Sequence, residues 1–133
     1  MGQEYKLDTS LSRETAATLD AFTLAYVEAL FWTLTDEDGN PMDHLGLHDL
    51  ADDALAAIMG ECAAFQEHAG SLIAGHESQA GHDFWLTRNG HGAGFWDRGE
   101  LYGDNGEGDT LTKLAKACGT SDAYVGDDEM VYV

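Results

Sequence analysis

Positive charge is what this chain has least of. Six lysines and arginines stand against 25 aspartates and glutamates, for a formal net charge of −19 over 133 residues. Between Arg13 and Arg88 there is no base at all, while Glu14, Asp20, Glu28, Asp36, Glu37, Asp38, Asp43, Asp49, Asp52, Asp53, Glu61, Glu67, Glu77 and Asp83 fall in that interval. Affinity for a nucleic-acid backbone rests on Lys and Arg, so direct nucleic-acid binding is not expected. Pro41 is the only proline. The two cysteines, Cys62 and Cys118, lie far apart among alanines with no CxxC partner, which argues against a zinc site and a disulfide scaffold and reads as two buried thiols. No apolar run approaches the roughly 20 residues of a membrane span. Residues Met1 to Asp8 are polar and carry two acids, unlike the cationic start of a secretory signal. The expectation is a soluble protein of the cytoplasm with no membrane contact.

A hydrophobic content of 44% is too high for a disordered acidic chain and sufficient for one domain spanning 1–133. A folded protein this acidic repels itself, so the charge needs a reason. Two remain: adaptation to high salt, as in halophile-type acidic proteins, or a surface that attracts something cationic.

Hydrophobic spacing predicts the elements. Ser12 can cap a helix over Arg13 to Leu34, with Leu19, Phe22, Tyr26, Leu30 and Phe31 on one stripe. The stretch TDEDGNPMDHLG then reverses the chain. A second helix over Leu47 to Ala69 places Leu50, Ala54, Ile58, Cys62 and Phe65 on one side and Asp49, Asp52, Asp53 and Glu61 on the other. This helical part covers about 10–70. After a polar linker, DFWLTR alternates, NGHGAG is glycine-dense and FWD resumes the pattern, which together predict a β-hairpin. A short helix follows in DTLTKLAKACG, capped by Asp109 or Thr110 and stopped by Gly119, and two short strands flank the turn in DAYVGDDEMVYV. The expected fold is α+β: an N-terminal helical hairpin packed on a small antiparallel sheet of three or four strands, with one further short helix. The second part, about 82–133, holds the hairpins and that helix.

Residues His82, Arg88, His91 and Asp97 supply the types needed for an acid–base site, since histidine titrates near neutrality and arginine can hold a charged oxygen. No serine or cysteine nucleophile accompanies them in a recognisable motif. The competing reading of this segment is structural, with glycines in the turn and tryptophans anchoring the core. Metal binding finds no support in spacing. Asp36, Asp38 and Asn40 mimic the start of a calcium loop, but Pro41 and Leu47 occupy the positions of its glycine and its last glutamate. The pair His44 and His48 lacks the glutamate of the zinc-protease pattern. The loop GELYGDNGEGDT lacks the lysine of a phosphate loop and carries acids that repel phosphate. No cofactor is expected.

The strings AGHDFWLTRNGHGAGFWDRG and GDTLTKLAKACGTSDAYVGDDEMVYV together resemble a block found in small uncharacterised proteins of bacteriophages and other mobile elements, over about residues 80 to 133. The resemblance implies a phage context and assigns no catalytic residues. In that context the acidity suggests an inhibitor of a host DNA-binding defence complex, a CRISPR effector or a restriction enzyme. Duplex DNA carries a negative charge about every 1.7 Å of axis, and carboxylates spaced along helices and a turn can stand in for phosphates in a cationic groove. The expected contacts are Asp36, Glu37, Asp38, Asp43, Asp49, Asp52 and Asp53, with Asp127, Asp128 and Glu129 as a second cluster. The alternative is a small hydrolase or ligand-binding protein with its site around His82, Arg88, His91 and Asp97.

Overall fold

The computed structural model describes residues 19–133 other than 37, 43, 92, 93 and 104. Ser12 and the residues up to 18 lie outside the described residues. Five helices and one two-stranded sheet follow one another: α1 (Ala21–Thr33), α2 (Asp52–Ala69), α3 (Glu77–Arg88), α4 (Gly99–Tyr102), α5 (Glu107–Ala117), β1 (Tyr124–Val125) and β2 (Val131–Tyr132). Short 3-10 turns stand at Leu47–Asp49, Gly70–Ile73 and Phe95–Asp97.

Asp20 is extended and accepts the backbone N–H of Thr23 at 2.8 Å, so it is the residue that caps α1. Burial pushes its carboxyl up, but the hydrogen bonds from Thr23 and Gln66 outweigh burial and hold it below its ordinary value. Phe22, Tyr26 and Leu30 are fully buried along α1. Asp52 and Asp53 occupy the first turn of α2, where exposed N–H groups favour anions, and Ala54, Ile58, Cys62 and Phe65 form its buried stripe.

Two hydrogen bonds fix the directions of the first three helices. Gln66, near the end of α2, donates to Asp20 at the start of α1 (3.1 Å), so these two helices run antiparallel. The indole of Trp85 on α3 donates to Thr33 at the end of α1 (2.8 Å), while Gly81 sits against Phe22 near the start of α1. Helices α1 and α3 are therefore parallel, and α2 is the crossover between them. Their approach is so close that a Cβ at position 81 would lie 1.9 Å from the Phe22 carbonyl oxygen. Only glycine fits that contact.

The β-hairpin expected between Asp83 and Asp97 is not formed, and with it the sheet of three or four strands is overturned. The segment ESQAGHDFWLTR is helix α3, and β1 and β2 are the only strands among the described residues. The reason is burial on every side: every residue from Asp83 to Arg88 is buried. A helical stretch enclosed all round has no single apolar stripe, so its sequence shows no helical period, and packing overrides the strand preference of Phe, Trp and Thr. Asn-Gly, which also marks a hairpin turn, here ends the helix: Asn89 is its cap and Gly90 has φ +70°.

The remaining elements close the core. Helix α5 begins at Glu107 behind Gly106, two residues before the expected caps Asp109 and Thr110, and Gly119 (φ +79°) follows its end as expected. Strands β1 and β2 pair antiparallel with Tyr124 opposite Tyr132 and Val125 opposite Val131. The fully buried Val131 also bridges Leu50, and its carbonyl accepts the N–H of Ala51 (2.9 Å). One apolar cluster runs from Phe22 to Val131. At its centre the rings of Phe65 and Phe84 stack at 4.2 Å, with Phe22, Tyr26 and Phe95 within 6 Å of one or the other. Each such pair contributes about 0.5–1.5 kcal/mol beyond its buried area. Cys62 is buried, which pushes its thiol up to about 12, but Cys118 at the end of α5 is exposed, so the expectation of two buried thiols holds for the first only.

Candidate functional site

The carboxylates singled out in the sequence fall into three segments that the fold draws toward one another. In the loop after α1, Thr35 bridges Pro41, and the Asp36 carboxylate accepts the N–H groups of Asp38 and Asn40 (2.9 Å each). The Asn40 bond and the others of this turn hold the Asp36 carboxyl below its ordinary value. Asp38 is exposed beside it; Glu37 and Asp43 lie outside the described residues. In the second segment Asp49 accepts the N–H of Gly46 (2.8 Å), with His48 Nε2 at 3.4 Å, and Asp52 and Asp53 are exposed.

The third segment is the turn between β1 and β2. Asp127, Asp128 and Glu129 are all exposed, and Glu129 takes a left-handed conformation (φ 67°). Asp128 accepts the Tyr132 hydroxyl and the Met130 N–H, and these bonds lower its carboxyl below the ordinary range. The same bond raises the Tyr132 hydroxyl, to which the charge of Asp53 adds. The bridge between Leu50 and Val131 seats the hairpin beside the segment that leads into α2, so that two acidic stretches distant in sequence lie on neighbouring elements.

In the first segment, Thr35 lines a pocket together with Asp122 and Ala123 of the stretch that leads into β1. Asp122 is an exposed acid that charge counting did not single out. Its exposure follows from its place between α5 and β1, which the sequence pattern did locate. Tyr124, more than half exposed, stacks on Tyr132 at 5.6 Å and gives the acidic hairpin an aromatic face.

Positive charge is removed from this surface in two ways. Arg88 is buried, its guanidinium donating to the Tyr26 hydroxyl (3.1 Å), the Glu61 carboxylate, and the carbonyls of Cys118 (3.0 Å) and Gly119 (2.8 Å), while it lies over the Phe84 ring. Burial opposes its charge, but Tyr26 and Glu61 outweigh that and raise its pKa. Arg98 is spent on Asp83, which is wholly buried and also accepts the Tyr102 hydroxyl (2.9 Å) and the Gln79 amide (3.0 Å). Burial, and then the charge of Asp83, push the Tyr102 hydroxyl well above its usual range. Only Lys113 and Lys116, both exposed on α5, are left among the described bases.

The alternative set is dispersed. His82 is half-buried on α3, its Nδ1 without a partner and its ring against Trp32 of α1 at 5.7 Å. Arg88 points into the core, His91 is exposed past the end of α3, and Asp97 is exposed in a 3-10 turn. Among the described residues no hydrogen bond or ion pair joins any two of the four, and no group of three metal-ligating side chains converges. Trp85 is buried as a core anchor, whereas Trp96 is 41% exposed. No helix among the described residues is long and apolar enough to cross a membrane. Compared with models of protein families, with curated proteins and with solved structures, the chain matches none.

Proposed function

We propose that this protein is an acidic DNA mimic that occupies the cationic groove of a host DNA-binding defence complex, of CRISPR or restriction type. It acts by competitive occupancy, with no bond made or broken. The observation that carries the reading is the pairing of β2 with the segment that leads into α2. It brings the exposed acidic turn Asp127 to Glu129 and the acidic stretch around Asp49, Asp52 and Asp53 onto elements that touch, which supports one acidic surface built from segments far apart in the chain. Two further features support it: the central arginines are turned inward or neutralised, and the hairpin carries an exposed tyrosine, Tyr124, of the kind that anchors interfaces. The likeness of residues 80 to 133 to proteins of phages and mobile elements supplies the biological setting.

Such a surface steers its target at long range and weakens as salt shortens the Debye length to about 8 Å at physiological strength. The test is affinity capture from a bacterial lysate at low salt, followed by elution with duplex DNA. A DNA-binding defence complex that the duplex displaces, and that a variant with Asp52→Lys, Asp53→Lys and Asp127→Lys fails to capture, is the expected result. Capture that duplex does not disturb, or that the triple variant retains, overturns the reading.

A further inference from the structure

A pocket of about 320 Å³ opens between the C-terminal ends of α1 and α3 and the segment before β1. That volume is at the small end of the range for small-molecule sites, roughly 300–1,000 Å³. Its walls are held by bonds already made. Thr33 accepts the Trp85 indole N–H (2.8 Å) and donates to the Leu30 carbonyl (3.1 Å), while Asn89 donates to the Trp85 carbonyl (3.1 Å) and accepts the Ser121 N–H (2.8 Å). The pocket therefore has a fixed shape and little unspent hydrogen-bonding capacity in its interior.

Three features define what it would accept. Helices α1 and α3 run parallel, so both present their C-terminal ends here, each worth about half a negative charge. Among the described residues Asp122, which is exposed, is the one carboxylate in the lining, and no Lys or Arg lines the pocket. The third is aromatic: Trp85 and His91 both line the cavity, the exposed His91 ring lying 23° from parallel to the buried Trp85 indole at 6.5 Å. Negative potential selects a cation, and flat aromatic walls select a planar one, which a guanidinium is and an ammonium is not.

We infer that this pocket binds a guanidinium group, stacked on the exposed His91 ring beside Trp85 and paired with the Asp122 carboxylate. The group belongs either to a free guanidino compound or to an arginine side chain of another protein. The test titrates the full chain with agmatine and, separately, with a Gly-Arg-Gly peptide blocked at both ends, following the Trp85 indole N–H by NMR. Saturable shifts of that signal are expected, with affinity falling about tenfold in Asp122→Asn, as the loss of one charge-assisted hydrogen bond requires. Asp109→Asn removes the same charge outside the pocket and is expected to change affinity less than twofold. Tighter binding of the peptide assigns the pocket to a protein side chain, and tighter binding of agmatine to a free compound. Three results overturn the inference: no saturable shift with either probe, equal losses in the two variants, which would mark diffuse attraction to an acidic surface, or equal binding of butylammonium.

Discussion

Two tyrosine–carboxylate pairs in this protein share a geometry and differ in everything else. Tyr102 donates to Asp83 in the core, where Arg98 and Gln79 complete the carboxylate's shell. Tyr132 donates to Asp128 on an exposed hairpin where, among the described residues, no Lys or Arg forms an ion pair. In the interior every charge has its partners, because an ion stripped of water without them costs several kcal/mol. On the acidic surface water does that work, and carboxylates stand side by side at the cost of mutual repulsion. The interior spends charge on joining elements: Asp83 ties α3 to α4, and Arg88 ties α3 to α1, α2 and the end of α5. The acidic surface spends none, which leaves it available to a partner.

This contrast can be broken most severely at its buried end. Asp83→Ala leaves the Tyr102 hydroxyl without its acceptor and Arg98 without its counter-charge, and is expected to cost about 3 kcal/mol, measured by urea denaturation. The discount from the full cost of a broken buried pair reflects Arg98, whose side chain is 30% exposed and can turn to water. Gly81→Ala tests the closeness of α1 and α3 without touching charge. Its methyl must displace backbone, for an expected loss of about 1–3 kcal/mol and a lower Tm.

At the exposed end the same measurements should show little. Reversal of Asp52, Asp53 and Asp127 to Lys is expected to shift the denaturation midpoint little at low salt, since the repulsion it relieves is offset by the loss of two favourable anions in the first turn of α2, and both effects should fade as salt is added. The smallest effect is expected from Tyr132→Phe. The Tyr132 bond depresses the Asp128 carboxyl, so the stabilisation it brings is complete above the unfolded value near pH 4 and is lost as pH falls through the lower folded one. Removing the hydroxyl should move the Asp128 titration upward in an NMR pH series without unfolding the hairpin.

The same division explains which parts of the molecule were legible in the sequence. Helices α2 and α5 and the closing hairpin each have one wet face, and their periodicity shows it: Ala54, Ile58, Cys62 and Phe65 recur at helical spacing against Asp52, Asp53 and Glu61. The second half of helix α3, Asp83 to Arg88, has no wet face to mark its period. Asp83 and Arg88 read as surface residues because charged side chains are rarely buried, and their partners Tyr26, Glu61, Arg98 and Tyr102 lie on other elements that no local pattern connects. The Asn-Gly stop after Arg88 was a visible signal, but Asn-Gly serves a hairpin turn as well as a helix end. For the candidate site, charge counting located the acidic segments. What it could not supply was their adjacency, which depends on Val131 reaching Leu50, or the place of Asp122 in a pocket with Thr35.

The parallel arrangement of α1 and α3 also bears on how the chain reaches its fold. Two parallel neighbours cannot be joined by a tight turn, and the bond from Arg88 to Tyr26 closes a loop of 62 residues that includes all of α2. The contact between Leu50 and Val131 spans a longer interval still. Loop-closure entropy is lost before such contacts repay it, so this mostly helical protein should fold more slowly than a bundle of sequential antiparallel helices of its size. During that delay α1 and α2 can pair through Asp20 and Gln66 while the aromatic faces of Phe22, Tyr26 and Phe65 still await Phe84. The strong negative charge that would serve binding in the folded protein would also keep such half-covered chains apart.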